Sequence, residues 1–571
     1  MKRKTTKPQF QGRHWFVLGL LTVFLGLLGA RALYLQIFAA DYLKAQGNAR
    51  YLRVVKAAPN RGMILDRNGE VLAVSTPVDS VWAHPATFLA EGHSVSKLAK
   101  LLNMSKAKIR KLCRENEHRE FVYLKRHLAP ELANQVMQLQ IPGVDVVREY
   151  RRYYPAGPVT SHVLGLANID DHGQEGIELA FERHLSGVEG KTRVLRDRVG
   201  HIVEHVERIS SAVDGKNLRI SIDARIQYLA FRHLKAAVRE HRAAGGSAVM
   251  VDVKTGEILA MVNEPSFNPN NRRDRNRDKF RNRAVVDQFE PGSTIKPFTV
   301  AMALESGKFG PDSRVDTAPG IYRIGRHRVR DARDYGLLTV TKVLAKSSNI
   351  GAAKIAMSLE AESLVSTLRQ LGFGKLTRAG LPGEAVGSLP KRQRWRPIEH
   401  ATLSFGYGLS STALQLARSY TTFATDGRLL PLSVVPVQER PAGVRVFEAR
   451  IVNQIRPMLE LAVGEHGTGK RAQLEQYRVA GKTGTVHKLV NGEYADDRYM
   501  SAFAGMAPVD RPRVVMVVVV DDPRGEEYYG GAVAAPVFAR VMSGALRILN
   551  VAPDRPVPPL MQQAKAPGAD A

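Results

Sequence analysis

Cysteine is almost absent from this sequence. Cys113 is the only one in 571 residues, so no intrachain disulfide can form and a zinc site built from several cysteines is excluded. The surrounding pattern predicts that Cys113 is a small buried or half-buried side chain. No repeat period is evident either, so a repeat architecture is not expected.

Acidic residues are scarce relative to basic ones. The chain has 83 Lys and Arg against 55 Asp and Glu, which gives a net charge of +28 and an isoelectric point near 10.1. This imbalance implies an anionic partner, such as nucleic acid, a membrane surface or an acidic polymer. Hydrophobic residues (44%) and charged residues (24%) are nevertheless typical of a folded protein, and the length predicts two or more domains.

A long apolar segment stands near the amino terminus. Residues 15–30 are apolar apart from Thr22, and the apolar character resumes after Arg31, so residues 15–38 are predicted to be a transmembrane anchor. A cleavable signal peptide is the alternative, because residues 30–32 read Ala-Arg-Ala. The basic tail 1–14 favours a cytoplasmic amino terminus, although basic residues also follow the span.

The rest of the chain divides near residue 214. Residues 39–214 are charged, rich in short elements and without a catalytic constellation, which predicts a pedestal domain that spaces the next domain from the membrane or contacts partners. The basic, aromatic segment 151–157 suits either an anionic ligand or a solvated face. Residues 215–552 form the second predicted domain, and the Pro- and Ala-rich residues 553–571 are expected to be disordered.

Apolar runs define the second domain. Residues 247–253 and 257–262 read as strands joined by a hairpin turn, and residues 514–520 form an unbroken apolar run, typical of a strand buried on both faces. Helical patterns lie between them. The prediction is an α+β fold with an antiparallel or mixed sheet packed between helices.

A serine and a lysine lie one helical turn apart in the segment 290–296, Glu-Pro-Gly-Ser-Thr-Ile-Lys. Pro291 and Gly292 break the preceding element and place Ser293 at a helix start, where free backbone N–H groups and the helix dipole favour a developing negative charge. The spacing lets Lys296 lie beside Ser293 on one helix face. A lysine can take the serine proton if burial or a second cation lowers its pKa.

Two further motifs supply that second lysine and more hydroxyl groups. Residues 346–349, Lys-Ser-Ser-Asn, open a helix and bring Ser347 and Asn349 to its start. Residues 480–485, Ala-Gly-Lys-Thr-Gly-Thr, follow a strand-like segment and carry Lys482, with glycines that would let a substrate backbone approach the strand.

Each motif also occurs elsewhere in the chain. Ser-x-x-Lys recurs at 94–97 and 105–108, where each serine reads as a helix N-cap, Ser-x-Asn recurs at 266–268, and Lys-Thr-Gly recurs at 254–256 in the predicted hairpin turn. Only one set runs in the order Ser-x-x-Lys, Ser-x-Asn, Lys-Thr-Gly with each member at a helix start or on a strand. This set is Ser293/Lys296, Ser347/Asn349 and Lys482/Thr483/Gly484.

The ordered set resembles that of the penicillin-binding proteins, the serine acyl-transferases of peptidoglycan synthesis. Within them the chain looks like a class B enzyme, a division-specific peptidoglycan D,D-transpeptidase of Gram-negative bacteria, and the similarity covers nearly the whole chain. Ser-Ser-Asn stands where the related class A β-lactamases have Ser-Asp-Asn, and no counterpart of their deacylating carboxylate is evident. Other segments that look like family stretches are 61–73, 151–157, 187–190, 405–408 and 528–531.

The resemblance implies a role for each motif residue. Ser293 attacks the carbonyl between the two terminal D-alanines of a stem peptide, with Lys296 as its base and Ser347 as the proton relay to the leaving amine. Lys482 lowers the pKa of its neighbours by its charge, and backbone N–H groups of Ser293 and Thr485 form the oxyanion hole. An amine of a second stem peptide then resolves the acyl-enzyme.

Substrate binding is expected around these residues. Lys482, Thr483 and Thr485 suit the terminal carboxylate of the substrate, and Asn349 suits a peptide amide. Aromatic side chains are candidate pocket walls, for which a core or structural role is an equal alternative. These candidates are Tyr407, Tyr528 and Tyr529.

The resemblance also implies the surroundings of the protein. No cofactor or metal is expected. The implied partners are peptidoglycan stem peptides, β-lactams as inhibitors, the lipid bilayer, and division-complex proteins including a membrane glycosyltransferase, because no glycosyltransferase domain precedes the pedestal. The implied location is the inner membrane, single-pass, with the catalytic domain in the periplasm.

The sequence leaves some alternative functions open and argues against others. An elongation-type transpeptidase or a D,D-carboxypeptidase would carry the same motifs, and a penicillin-sensing receptor or scaffold stays open as a non-enzyme. The segment 464–470 is nearly a phosphate loop, but Arg471 stands where a Ser or Thr must hold Mg²⁺ and a helical pattern precedes it. A nucleic-acid partner is not expected, because no recognisable binding module accompanies the positive charge.

Overall fold

The computed structural model describes most of the chain, namely residues 11–44, 52–90, 95–196, 202–271, 277–490 and 492–555. Most of the predicted basic tail, nearly all of the predicted disordered tail and the candidate N-cap Ser94 lie outside the described residues. The domain limits predicted from the sequence stay a prediction.

Helices and strands alternate along the described chain. The helices are α1 Gln11–Leu33, α2 Pro85–Ala90, α3 Val95–Leu102, α4 Lys106–Glu115, α5 Pro130–Met137, α6 Ser161–Leu164, α7 Gly176–Ala180, α8 Glu182–Leu185, α9 Ala224–Glu240, α10 Arg283–Val286, α11 Lys296–Glu305, α12 Val340–Lys346, α13 Asn349–Met357, α14 Ala361–Gln370, α15 Pro397–Leu403, α16 Ala413–Ala424, α17 Ala449–Val463 and α18 Gly530–Ile548. The strands are β1 Leu52–Ala57, β2 Ile64–Leu65, β3 Val71–Ala83, β4 Val122–Leu128, β5 Val144–Tyr153, β6 Gly190–Arg196, β7 Ile202–Ser210, β8 Leu218–Arg219, β9 Gly245–Asp252, β10 Ile258–Glu264, β11 Arg314–Asp316, β12 Ile321–Ile324, β13 His327–Arg330, β14 Leu337–Thr339, β15 Arg428–Leu429, β16 Val444–Arg445, β17 Ala480–Val490, β18 Glu493–Ala507 and β19 Val514–Asp521.

The amino-terminal helix is apolar and uncovered. Helix α1 continues through a π-helical turn, so that Gly12–Phe38 forms one segment of 27 residues with a mean hydropathy of 2.1 and none of that window buried. This length and composition are consistent with a single-pass anchor. Helix α18 is also long and apolar enough, but 56% of its window is buried inside the protein, which is typical of a core helix.

The first compact unit consists of residues 1–60, 77–150 and 187–214. Its strands β1, β6 and β7 form an antiparallel sheet. Helices α3 and α4 pack around a small apolar core that includes Cys113, which is fully buried as predicted. Ser105 accepts a hydrogen bond from the Lys108 N–H at 3.2 Å, which confirms its prediction as an N-cap.

The second compact unit consists of residues 61–76, 151–186 and 215–571. Its antiparallel sheet has the strand order β10-β9-β19-β18-β17, with helices on both faces. Strand β19 shows why both faces are covered: Val515 and Val517 join one apolar core, while Met516 and Val518 join the core on the opposite face. The predicted α+β fold and doubly buried strand are therefore confirmed.

A buried ionic network occupies part of the segment predicted to be either anion-binding or solvated. Arg151 is exposed, but Arg152 is only 3% exposed and donates through Nε to Glu178 Oε1 at 2.7 Å. The other Glu178 oxygen accepts from Nε of Arg61 at 2.7 Å, and both side chains are buried. The solvated interpretation therefore holds for Arg151, whereas Arg152 is part of the interior.

Candidate active site

Ser293 lies at the start of a deeply buried helix. Gly292–Ile295 form a 3₁₀ turn that leads directly into α11, so the predicted helix start is confirmed. Gly292 has φ +54°, and a Cβ atom there would lie 2.3 Å from Cγ1 of Val486, so the turn requires glycine. Ser293 is half-buried, whereas Lys296 is 0% exposed.

The Lys296 ammonium group connects this helix to the Ser-Ser-Asn motif. Its Nζ donates to the Ser347 carbonyl oxygen at 2.5 Å, to the Ser347 hydroxyl at 3.1 Å and to Oδ1 of Asn349 at 2.7 Å. The hydroxyl of Ser293 forms no hydrogen bond within the described part of the chain. Contacts between a nucleophile and its base often tighten only with bound substrate, so this geometry is compatible with Lys296 as the base.

Ser347 lies between two buried lysines. Its hydroxyl oxygen accepts from Lys296 and also from Nζ of Lys482, at 2.9 Å. The residue adopts a left-handed conformation with φ +61° at the end of α12, which turns the chain into α13. Ser348 caps α13 by accepting from the Gly351 N–H at 2.8 Å. The motif therefore opens a helix, as predicted.

Both lysines have depressed pKa values. Burial, followed by the charge of Lys482, lowers the pKa of Lys296 well below its usual range, while Asp331 opposes this shift. Burial lowers the pKa of Lys482 to about 7. The site thus meets the condition set from the sequence, a buried lysine with a second cation nearby.

Asp331 is a site residue that the sequence did not indicate. Its carboxylate accepts hydrogen bonds from the Ser348 hydroxyl and the Asn349 N–H, each at 2.5 Å, and from the Ile350 N–H at 3.1 Å. It therefore caps α13 from outside the helix and fixes the Ser-Ser-Asn turn. Asp331 is distant in sequence and belongs to no motif, so only the fold reveals it.

The Lys-Thr-Gly motif lies on β17, an edge strand of the sheet. Thr483 Oγ1 lies 2.8 Å from Oγ1 of Thr468, and Thr485 Oγ1 accepts from the Gly530 N–H at 2.9 Å. A Cβ atom on Gly484 would lie 3.0 Å from the Pro291 carbonyl oxygen. The protein's own packing thus leaves little room for a side chain at this glycine, and its contact with substrate stays a prediction.

The structure also shows where two motif-like segments lie that were excluded from the predicted site. Thr468 belongs to the segment 464–470, which follows helix α17 and packs beside Lys-Thr-Gly, so its rejection as a phosphate loop is supported. The second Lys-Thr-Gly, at 254–256, lies in the turn between β9 and β10, as predicted.

The three predicted tyrosines fall into two aromatic groups. Tyr528 stacks on Tyr499 with ring centroids 4.0 Å apart and on Tyr529 at 4.5 Å, and Tyr529 is 60% exposed. Tyr407 instead packs edge-on against Tyr494 at 5.8 Å. Tyr494 and Tyr499 were not predicted, because the sequence around them on β18 carries no motif.

Comparison with known proteins agrees with this geometry. The family model of the penicillin binding protein transpeptidase domain matches residues 246–543, and that of the penicillin-binding protein dimerisation domain matches residues 56–220. The chain is 42% identical over 565 residues to the peptidoglycan D,D-transpeptidase FtsI of Escherichia coli K12, covering 96% of this chain and 95% of that protein. The chain belongs to the class B penicillin-binding proteins.

Other members of the family support the same assignment. The probable peptidoglycan D,D-transpeptidase PbpC of Pseudomonas aeruginosa is 41% identical, with 94% of each chain covered. The transpeptidase domain of penicillin-binding protein 3 from Burkholderia pseudomallei is 42% identical and matches 59% of this chain and 98% of its own, with a TM-score of 0.55. Penicillin-binding protein 3 from Mycobacterium tuberculosis, solved with aztreonam, matches 88% of this chain and 99% of its own, with 28% identity and a TM-score of 0.68. The protein is therefore a peptidoglycan D,D-transpeptidase of the septal, FtsI-like type.

Proposed function

We propose that Ser293 is the nucleophile of this transpeptidase and that the two buried lysines are its proton-transfer system. The observation that carries the proposal is the Ser347 hydroxyl, which accepts hydrogen bonds from Lys296 and Lys482 at 3.1 and 2.9 Å. Two ammonium groups at one oxygen repel each other, which favours the loss of a proton from one of them. A neutral lysine next to the helix that carries Ser293 is the base that a serine nucleophile requires.

The reaction then proceeds by acyl transfer. The Ser293 Oγ attacks the carbonyl carbon between the terminal D-alanines, and its proton passes to Lys296. The C–N bond breaks, and the leaving amine takes a proton through Ser347. An amine of a second stem peptide attacks the ester, loses a proton and releases Ser293. The oxyanion is held by the backbone N–H groups of Ser293 and Thr485.

Strand β17 is the proposed binding edge for the donor peptide. Within the described sheet β17 has a strand partner on one side only, and its other side can add an extended peptide by β-augmentation. Lys482, Thr483 and Thr485 would hold the terminal carboxylate, and Asn349 a peptide amide. Gly484 and the tyrosines Tyr407, Tyr528 and Tyr529 are proposed to line the same groove.

Labelling with a fluorescent penicillin tests the nucleophile. We expect Ser293→Ala to abolish covalent labelling, with mass spectrometry of the wild-type protein placing the adduct on the peptide that contains Ser293. Ser105→Ala is the matched control, since Ser105 heads a Ser-x-x-Lys sequence but serves as an N-cap. Undiminished labelling of the Ser293 variant would refute the assignment.

We also propose that the protein is a single-pass inner-membrane enzyme, with its amino terminus in the cytoplasm and its catalytic domain in the periplasm. The apolar segment Gly12–Phe38 supports the anchor. Its proposed partners are stem peptides, β-lactams as inhibitors, the bilayer and division-complex proteins, including a membrane glycosyltransferase, with no nucleic acid. Protease protection in spheroplasts tests the topology, because a periplasmic domain is digested from outside.

A further inference from the structure

A carboxylate with no salt-bridge partner among the described residues lies three residues before Ser293. Glu290 Oε1 accepts a hydrogen bond from the Gly408 N–H at 2.7 Å, and both carboxylate oxygens lie 3.0 Å from the Tyr494 hydroxyl, which donates to them. Burial raises the pKa of Glu290. In the described parts of the chain, no lysine, arginine or histidine forms a salt bridge with Glu290. This is unexpected in a sequence that has 83 Lys and Arg but only 55 Asp and Glu.

Two aromatic rings lie beside this carboxylate. Tyr407 and Tyr494 pack with ring centroids 5.8 Å apart and planes inclined by 70°. Tyr494 is 49% exposed, so the group opens to solvent. The carboxylate attracts a cation through its charge, and the tyrosine rings attract the same cation through their negative faces.

Gly292 connects this group to the nucleophile. A Cβ atom on Gly406 would lie 2.1 Å from the Gly292 carbonyl oxygen, so the loop carrying Tyr407 packs directly against the residue before Ser293. A Cβ atom on Gly292 would lie 2.3 Å from Cγ1 of Val486, so this residue also packs against β17. The loop that carries Tyr407 is therefore adjacent to the turn that carries Ser293.

The position along β17 indicates which part of the substrate would reach Glu290. Lys482 and Thr483, the proposed carboxylate-binding residues, precede Val486 on the strand, whereas Tyr494 pairs with Leu489, which follows it. Only two residues of β17 precede Lys482, so a donor peptide whose carboxylate end lies there can extend along the strand only towards Leu489. The donor body, rather than its leaving D-alanine, therefore lies next to Glu290.

We propose that Glu290, Tyr407 and Tyr494 form a subsite for a primary ammonium group carried by the donor peptide. This inference rests on the proposed role of Ser293 and adds a determinant of substrate specificity to it. The Glu290 carboxylate pairs with the ammonium, the two rings flank it, and the Gly408 and Tyr494 hydrogen bonds hold the carboxylate in place.

Three penicillins that share one bicyclic nucleus test the subsite. Ampicillin carries a side-chain ammonium, benzylpenicillin is neutral and carbenicillin carries a carboxylate. The second-order rate constant of acylation is measured for each with the full-length protein in detergent. A pair of thioester donor peptides, one with a free amine and one with that amine acetylated, provides the same comparison on substrate-like molecules.

We expect Glu290→Gln to reduce the preference for the ammonium-bearing compound over the anionic one by roughly three- to tenfold, while the rate with benzylpenicillin changes by less than about twofold. Glu290→Lys should invert the preference, a result that a purely structural role cannot produce. Glu305→Gln is the control, since Glu305 is another carboxylate whose pKa burial raises, at the far end of α11.

Two results would overturn the subsite. Equal slowing of all compounds by both Glu290 variants would show that Glu290 only supports the fold, and unchanged ratios would show that no cation binds there. A wrong assignment of Ser293 as nucleophile would give a different result from a wrong assignment of the subsite. In that case every penicillin would label the wild-type protein at a residue other than Ser293.

Discussion

Asp331 combines a positional and an electrostatic effect, and its replacement by asparagine separates the two. Its carboxylate holds the start of α13 through hydrogen bonds from Ser348, Asn349 and Ile350. Asparagine keeps the volume and one acceptor oxygen but removes the charge. We therefore expect Asp331→Asn to fold with a weakened hold on the Ser-Ser-Asn turn.

The expected magnitudes follow from these contacts. A hydrogen bond to a charged group contributes roughly 1.5–3 kcal/mol and a helix cap about 1 kcal/mol, so partial replacement should cost about 1–2 kcal/mol of unfolding free energy. The Asp331 charge raises the pKa of Lys296, so its removal lowers that pKa further. Because Lys296, as the proposed base, would act in its neutral form, we expect acylation to decline as the pH falls through this pKa. The acidic limb of the Asp331→Asn profile should therefore lie at lower pH than that of the wild type.

The assay is the rate of acylation by a fluorescent penicillin between about pH 5 and 9, together with urea unfolding. The charged groups that affect the pKa of Lys296 are Lys482, which lowers it, and Asp331, which raises it. A shift of the acidic limb to lower pH therefore reports the loss of the Asp331 carboxylate. Asp334→Asn is the matched control, because Asp334 is an exposed loop residue whose side chain, among the described residues, accepts from the Gly336 N–H alone. An acidic limb that stays in place or moves to higher pH would refute the reasoning.

Three other substitutions test the site and the fold. Lys482→Met removes the like charge that lowers the pKa of the Ser-x-x-Lys lysine, so the acidic limb of any residual acylation should move to higher pH. Gly292→Ala should slow acylation at least tenfold, because the added methyl group would collide with Val486 of β17. Gly307→Ala is its control and should leave the rate unchanged, because Gly307 also has a positive φ but no neighbouring atom of the described residues lies within 4 Å of the added methyl group. Arg61→Ala removes one of the partners of the buried Glu178 carboxylate and should lower the unfolding free energy, measured by urea titration, by about 3–5 kcal/mol. Arg151→Ala is its control: this arginine is exposed, and its loss should change the unfolding free energy by less than about 0.5 kcal/mol.

The sequence predicted the parts of the site that local patterns encode. Pro291 and Gly292 mark a helix start whatever surrounds them, and a lysine three residues after Ser293 returns to the same side of the helix. The apolar run at residues 514–520 likewise has one stable placement, inside a sheet covered on both faces. Ordering these local motifs along the chain was sufficient to indicate the α+β fold and the set of residues proposed to be catalytic.

Groups that satisfy a motif from a distant segment carry no such pattern. Asp331 caps a helix from a loop that ends a two-stranded hairpin, and Thr468 contacts Thr483 from a glycine-rich segment that itself resembled another motif. Both lysines of the site are fully buried, so their charges must be balanced by whatever the fold brings near them. The sequence motifs thus identify the functional groups in the site. The pKa values of those groups depend on neighbouring residues that only the tertiary fold brings close to them. A variant series that leaves the motifs intact and changes only those neighbours should therefore move the pH profile of acylation without moving the site of the adduct.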